Sequence, residues 1–369
     1  MRVLMIDYYL PDSIYTLELG RELKKHCSLS VFCREDAGAS EEGIRWFPCF
    51  YPGGKKKLQA VWAYGKTLCR LAWIIRTGKF DVVHVQCFKN MRCEAMIYRF
   101  VRRFCGKFVL TAHNVLPHEE GMRAVKEYRK LYAFCDEIIV HNQTSRAYLM
   151  EQMGVPEEKI TVIAHGAYQT HMEQPRPAEP DGKTHFLQFG FIRKYKGIDI
   201  LLKAVSLIPR EEREALSFVI AGKQYEKLDD TDYPALIKEL GVDDCVRFER
   251  GHVPDGQIAE LFGRADFLVF PYRHIYGSGA LLLSYTYRKP VIVSDIPAFL
   301  EETDQGKTGL VFESENPQAL SRAIRKAARS SSETRKNYQE AVCRLVEEKY
   351  NWSLSAARTA DVYRKWNRR

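Results

Sequence analysis

The sequence predicts an α/β protein built of two doubly wound parallel-sheet domains that face each other across a cleft. Three observations carry that expectation. At 369 residues the chain is longer than one hydrophobic core ordinarily serves. Short apolar runs alternate with helical patterns from end to end, the order that builds parallel strands joined by crossover helices. The stretch QTHMEQPRPAEPDGKTH (169–185), rich in proline and polar residues, interrupts the alternation, which then starts afresh.

In the first half the strand candidates are RVLMIDY (2–8), SLSVFCR (28–34), VVHVQ (82–86), KFVLTAH (107–113), EIIVHN (137–142) and ITVIAHG (160–166). Helical segments separate them, beginning with SIYTLELGRELKKH (13–26), where Ser13 is expected to cap the helix. Past the linker, HFLQFG (185–190), LSFVIAG (216–222), VRFERG (246–251), ADFLVFPY (265–272), PVIVSD (290–295) and TGLVFE (308–313) read as strands. GIDILLKAVSLI (197–208) and SENPQALSRAIRKAA (314–328) read as helices between them. The expected boundaries are 1–168 for a first Rossmann-like domain and 169–351 for a second. In such folds ligands sit outside the carboxyl ends of the strands.

Composition narrows the class. The chain is 46% hydrophobic and 28% charged, and its longest apolar runs, such as LAWII (71–75), are far shorter than a membrane span. MRVLMIDYY passes straight into a strand pattern without the order of a secretory signal, so a cytoplasmic protein is expected. Ten cysteines are scattered singly, as at Cys27, Cys33, Cys49 and Cys69, with no C-x-x-C and no paired histidine spacing. Reduced thiols are expected, and neither a metal nor a disulfide framework.

The net charge of +9 is unevenly spread. Arg45, Lys55, Lys56, Lys57, Lys66, Arg70, Arg76 and Lys79 occur with no acid between Glu42 and Asp81, interleaved with Trp62, Tyr64 and Trp73. A basic helix with tryptophan and leucine on another face suits an anionic membrane surface, such as the inner face of the plasma membrane; a solvated face over an ordinary core helix has the same pattern. Nucleic acid is not expected, because no recognisable nucleic-acid module accompanies the charge.

Candidate chemistry lies in two places. In FPYRHIYGSGALLLSYTYRKP (270–290) a strand is followed by Gly277, Ser278 and Gly279, with a helix starting near Ala280. Glycines at a helix entrance let backbone amides approach a ligand, and the positive end of the helix attracts phosphate. In QFGFIRKYKGIDILLKAV (188–205), Gly190, Arg193, Lys194 and Lys196 occupy the loop between that domain's first strand and first helix, where Lys196 and Arg193 can engage a diphosphate. In the first domain, His113 ends a strand and can contact a sugar or exchange a proton near neutral pH. His84, His118, His141 and His165 hold comparable positions; His113 ranks first and His118 second, because HNVLPHE leaves the strand into an expected cleft loop.

These segments resemble glycosyltransferase family 4. The ordered matches include DVVHVQ (81–86), TAHNVLPHE (111–119), CDEIIVHN (135–142), GVPEEKITVIAHGAY (154–168), FGFIRKYKGIDILLKA (189–204), VIAGK (219–223), GHVPDGQIAELFGRADFLVFPY (251–272), KPVIVSDIPAFLEE (289–302) and GKTGLVF (306–312). The resemblance covers the whole chain. It implies the GT-B architecture and metal-independent, retaining transfer of a sugar, expected to be a hexose, from a nucleoside diphosphate to a glycan or lipid-linked saccharide in polysaccharide or glycoconjugate synthesis. It also implies that the C-terminal helix, 352–369, crosses back onto the first domain.

By that resemblance His113 contacts the donor sugar and Lys196 holds the diphosphate, while Arg193 stands two residues from the position of the family's usual arginine. Gly190, Lys223, His252, Gly277, Ser278, Gly279 and Ala280 line the donor, with RGHV (250–253) at the nucleobase, while His118 and Glu119 face the acceptor. Lys55, Lys56, Lys57, Trp62 and Trp73 are the expected membrane-facing set. The chain departs from the family pattern where two glutamates are usual, at Ile275 and Leu283, and where an arginine is usual, at Phe191. It also lacks the glycine-rich first loop, since YYLPDSIY (8–15) has no glycine. The absent glutamates leave open a degenerate nucleotide- or partner-binding protein; a sugar-nucleotide epimerase of the same fold is the other alternative, although such enzymes lean on cleft carboxylates and few stand at the matching edge here.

Overall fold

A computed structural model describes residues 1–10, 14–34, 41–49, 57–116, 122–168 and 181–365, apart from the side chains of Lys57 and of residues 122–124. The chain divides into two compact units, Met1–Gly166 with Tyr350–Arg369, and Ala167–Lys349.

The first unit holds a seven-stranded parallel sheet of β1 (Arg2–Ile6), β2 (Ser28–Arg34), β3 (Ile44–Cys49), β4 (Val82–Val85), β5 (Lys107–Thr111), β6 (Glu137–Val140) and β7 (Ile160–Val162), in the order β3-β2-β1-β4-β5-β6-β7. Its helices are α1 (Tyr15–Leu23), α2 (Lys57–Gly78), α3 (Met91–Val101), α4 (Met122–Phe134) and α5 (Gln143–Glu151). The strands read as apolar runs because both faces are covered. Val3, Met5 and Val31 pack with Leu19 and Leu23 of α1.

The second unit holds six parallel strands, β8 (Thr184–Phe189), β9 (Leu216–Gly222), β10 (Val246–Arg250), β11 (Phe267–Phe270), β12 (Val291–Ser294) and β13 (Gly309–Phe312), in the order β10-β9-β8-β11-β12-β13. The helices there are α6 (Ile198–Ser206), α7 (Arg210–Arg213), α8 (Tyr233–Glu239), α9 (Asp255–Arg264), α10 (Gly279–Thr286), α11 (Pro297–Glu302), α12 (Pro317–Ala328) and α13 (Ser332–Glu348). Its core joins Ile198, Leu201 and Val205 of α6 to Leu320 and Ile324 of α12, with Phe186 stacked on Phe218 at 4.8 Å. The final helix, α14 (Trp352–Arg364), belongs to the first unit, where Ala356, Ala360 and Tyr363 join the core beside α1. Both sheets change direction at the first strand of their unit, as doubly wound folds do, and the two-domain Rossmann-like architecture is GT-B.

Two local expectations change. IRWFPC forms β3, a strand absent from the expected set; as the outermost strand of its sheet, β3 accommodates Pro48, which cannot donate to a ladder. Helix α1 begins at Tyr15, with Ile14 in the capping position and no side-chain cap; Ser13 lies outside the described residues.

Candidate active site

In the second unit the chain leaves β8 through Gly190 and closes a single 3-10 turn at Lys194–Lys196 before α6. Lys196 N donates to Arg193 O at 2.9 Å, and Gly197, at φ 67°, turns the chain into the helix. This tight turn sends the Lys196 side chain inward. The residue is 7% exposed, and its Nζ lies 5.3 Å from the centroid of the Tyr272 ring. Gly190 is at φ 108°, and a Cβ there would stand 3.0 Å from Lys196 Nζ and 3.9 Å from the Ala280 side chain. The ammonium and the start of α10 therefore flank the same glycine.

Burial, with the like charge of Arg193 adding to it, lowers the Lys196 ammonium to about 7. No carboxylate pairs with Lys196 among the described residues. Neighbouring cations are committed elsewhere: Lys194 to Asp230 at 2.7 Å, and Arg273 to Asp199 at 2.8 and 3.0 Å. At α10, Gly279 and Ala280 take the first helical positions, whose N–H groups have no intrahelical acceptor. A buried cation of lowered basicity beside a helix N-terminus favours an anion that supplies charge and accepts hydrogen bonds.

Ser278 stands at the start of α10, as the cap. Its Oγ accepts from Leu281 N at 3.1 Å and is buried, so the hydroxyl caps α10. Lys223 and His252 follow the carboxyl ends of β9 and β10 and are exposed; Lys223 Nζ lies 5.0 Å over the Tyr225 ring. Gly277 is half-buried in the loop before the cap. Leu283 is buried on α10, so an apolar contact occupies one position where the family pattern has a glutamate. Phe191, 52% exposed, packs at 5.6 Å against Tyr225 with the rings tilted by 49°.

The first unit gathers four histidines. Because β4, β5, β6 and β7 are consecutive neighbours, residues just past their carboxyl ends converge: Gln86, His113, His141 and His165. His113 Nδ1 lies 3.0 Å from His141 Nε2, and His141 Nδ1 lies 3.0 Å from Ile163 O. The Tyr15 ring packs against His113, His141, His165 and Trp352 at 4.5, 5.4, 4.8 and 5.1 Å between centroids. Beneath them His84 is fully buried in β4, between Tyr363 Oη at 2.6 Å and Thr111 Oγ1 at 2.8 Å. Sequence reasoning ranked His113 among its peers but missed this convergence, which follows from sheet order; it missed Tyr15 and Trp352 altogether. His118, Glu119, Lys55 and Lys56 lie outside the described residues, as does the side chain of Lys57.

Burial lowers His84 and His165 to about 3 and His141 to about 4, and takes His113 well below its usual value. The unfolded chain therefore binds protons below about pH 6.5 that the folded unit refuses until lower pH. Stability is expected to fall as pH drops from 6.5 to 4, by up to about 1.4 kcal/mol per pH unit for each such histidine. Thermal unfolding of wild type and of His84→Phe across that range checks this; the variant's curve should be shallower.

The pattern of "Glycosyl transferases group 1" matches residues 171–343, and that of "Glycosyltransferase Family 4" matches residues 13–167. The chain belongs to the group 1, family 4 glycosyltransferases. A D-inositol 3-phosphate glycosyltransferase of Streptomyces scabiei is 25% identical to this glycosyltransferase over 391 aligned positions, covering 95% of this chain and 85% of the relative. That of Streptomyces avermitilis is 26% identical over 266, covering 66% of this chain and 55% of the relative. A GDP-mannose:glycolipid 4-beta-D-mannosyltransferase of Xanthomonas campestris is 25% identical, over 60% of this chain and 59% of the relative. Among solved structures, Anabaena HepE in complex with UDP-glucose superposes with a TM-score of 0.74 at 14% identity, over 99% of this glycosyltransferase and 100% of HepE.

Proposed function

We propose that this glycosyltransferase moves a hexose, with retention of configuration, from a nucleoside diphosphate to a glycan or lipid-linked saccharide. The observation that carries the reading is the buried Lys196 ammonium, facing Gly190 together with the start of α10. GDP-mannose in the name of one similar protein, and UDP-glucose in complex with another, support a nucleotide-hexose donor.

In this reading the bond from the sugar's anomeric carbon to the diphosphate breaks as the acceptor oxygen bonds to the same face. The acceptor's proton passes to the departing phosphate oxygen. Lys196, Arg193 and the amides of Gly279 and Ala280 stabilise the charge that develops on that oxygen, and His113 orients the sugar. The reading assigns no metal. Lys223 and His252 flank the nucleobase, while His118 and Glu119 serve the acceptor.

The test is thermal stabilisation by UDP, GDP, ADP and their common sugar conjugates, for wild type, Arg193→Ala and Lys196→Ala. A ligand at one hundred times its Kd adds about 2.7 kcal/mol of stability. One nucleotide family stabilising wild type, with the effect lost in both variants, is the expected result. No stabilisation by any of them sinks the reading. Stabilisation without turnover across donors and acceptors would identify a nucleotide-binding relative that does no chemistry, which the apolar Leu283 and Ile275 favour.

The same proposal places the first unit on an anionic membrane at the cytoplasmic face. Helix α2 turns Ala63, Thr67, Leu71, Ile74 and Ile75 inward, leaving Leu58, Val61, Trp62 and Trp73 at 65–85% exposure; Met96 and Phe100 on α3 are 71% and 54% exposed. Lys66 covers the Trp62 ring at 3.4 Å, and Arg103 covers Phe100 at 4.6 Å, so cations and apolar rings share one surface. Among the described residues no helix is long and apolar enough to cross a membrane. Flotation with vesicles containing phosphatidylserine is expected for wild type and reduced at least tenfold for Trp62→Ala/Trp73→Ala, with loss in high salt. Equal flotation of both would remove the membrane from the reading.

A further inference from the structure

The histidine pair at the ends of β5 and β6 has a fixed direction. Ile163 O, 3.0 Å from His141 Nδ1, can only accept, so His141 carries its proton on Nδ1. Burial keeps the ring neutral, which leaves His141 Nε2 a bare acceptor. That nitrogen stands 3.0 Å from His113 Nδ1, which must therefore donate. His113 is neutral as well, so its remaining nitrogen, Nε2, holds a lone pair.

The alternative direction fails on chemistry. If His113 carried its proton on Nε2, His141 would have to donate from its own Nε2 and would face the Ile163 carbonyl with a second acceptor at 3.0 Å. Gln86 Oε1 lies 3.3 Å from His113 Nε2, which pairs two acceptors, while its Nε2 lies 3.3 and 3.2 Å from the two ring nitrogens of His84; rotating the amide by 180° turns the first contact into an N–H···N bond and brings Oε1 to the His84 ring. Gln86 then holds the place that a donor hydroxyl takes. Tyr15, edge-on to His113 at 86°, together with His165, limits rotation of both rings.

We propose that His141 is a positioning residue: relayed from the Ile163 carbonyl, it fixes the tautomer of His113, so that His113 Nε2 accepts a hydrogen bond from a hydroxyl of the donor sugar. The hydroxyl rests on the proposed function above; the tautomer does not. It makes His113 a selector for a sugar bearing a hydroxyl donor at that point and against one bearing only an acceptor there.

The experiment is a side-chain nitrogen–proton correlation spectrum of the full chain labelled with ¹⁵N-histidine, with His113 assigned by its absence in His113→Asn. In wild type at neutral pH, His113 and His141 should both show protonated Nδ1 and bare Nε2. In His141→Phe, which keeps the ring shape and removes the acceptor, His113 should shift to a mixture with protonated Nε2. His141→Gln, whose Oε1 can accept from His113 Nδ1, should restore the wild-type pattern. Affinity for UDP-glucose or GDP-mannose should fall about 3- to 10-fold in His141→Phe and recover in His141→Gln, with UDP or GDP affinity unchanged.

A protonated Nε2 on His113 in wild type overturns the proposal, as does an unchanged His113 pattern in His141→Phe. If His141→Phe does not fold, the wild-type and His141→Gln spectra still decide it. If the tautomers are as stated but neither nucleotide sugar perturbs His113, the relay stands and the donor reading falls.

Discussion

Lys196→Met is expected to lower turnover by about 100- to 1,000-fold, the usual consequence of removing one preorganised stabiliser of developing negative charge. The same substitution should make the unliganded protein more stable. Burial holds the ammonium at about 7, below its value in the unfolded chain. Between pH 7 and about 10.4 the unfolded chain carries a proton that the folded one lacks, so wild-type stability rises with pH across that window. Below pH 7 the folded state bears the full cost of the buried charge, on the order of 5 kcal/mol. Methionine fills comparable space without it. A variant with a higher Tm at pH 7 and lost turnover identifies a group held under strain for its charge. A variant that loses both would assign Lys196 to packing.

The same lowered basicity gives a second signature within that experiment. On the proposed function, a diphosphate held by Lys196 draws the proton back onto it, so nucleotide affinity should fall as pH rises above 7, by up to about tenfold per unit. In Lys196→Met the dependence should flatten. Calorimetry in buffers of different ionisation enthalpy should show proton uptake on binding to wild type at pH 8 and none to the variant.

Much of this site was legible because it is local. The segment from Gly190 to Gly197 is eight consecutive residues, and a strand–loop–helix reading already puts its lysine at a strand's carboxyl end. What stayed hidden was the direction of each side chain. Ser278 was read as lining the donor, and the structure adds that its Oγ accepts from Leu281 N as a cap. The histidine cluster was hidden for another reason. His113, His141 and His165 are each about 25 residues apart, and they meet only because β5, β6 and β7 lie side by side, which no local pattern encodes. Trp352 joins them from α14, almost two hundred residues beyond His165. The edge strand β3 was not among the expected strands; its Pro48 is tolerated because the strand is outermost in its sheet.

Gly197→Ala tests how far the lysine depends on its turn, and the expected cost is large. At φ 67° any residue with a Cβ sits in the left-handed region, at roughly 1–2 kcal/mol. Here the new Cβ would also fall 1.9 Å from Pro271 O, a backbone atom at the end of β11 that cannot move aside without disturbing the sheet. Overpacking of this kind adds about 1–3 kcal/mol, so a loss of about 3 kcal/mol or more is expected. For a unit of this size that lowers Tm by roughly 6–12 °C. The 3-10 turn that buries Lys196 ends at this glycine, so folded Gly197→Ala should also bind UDP or GDP more weakly and show a flatter pH dependence as the ammonium becomes hydrated. An alanine variant with wild-type Tm would mean that the turn relaxes freely. Burial of Lys196 would then owe nothing to the geometry of Gly197.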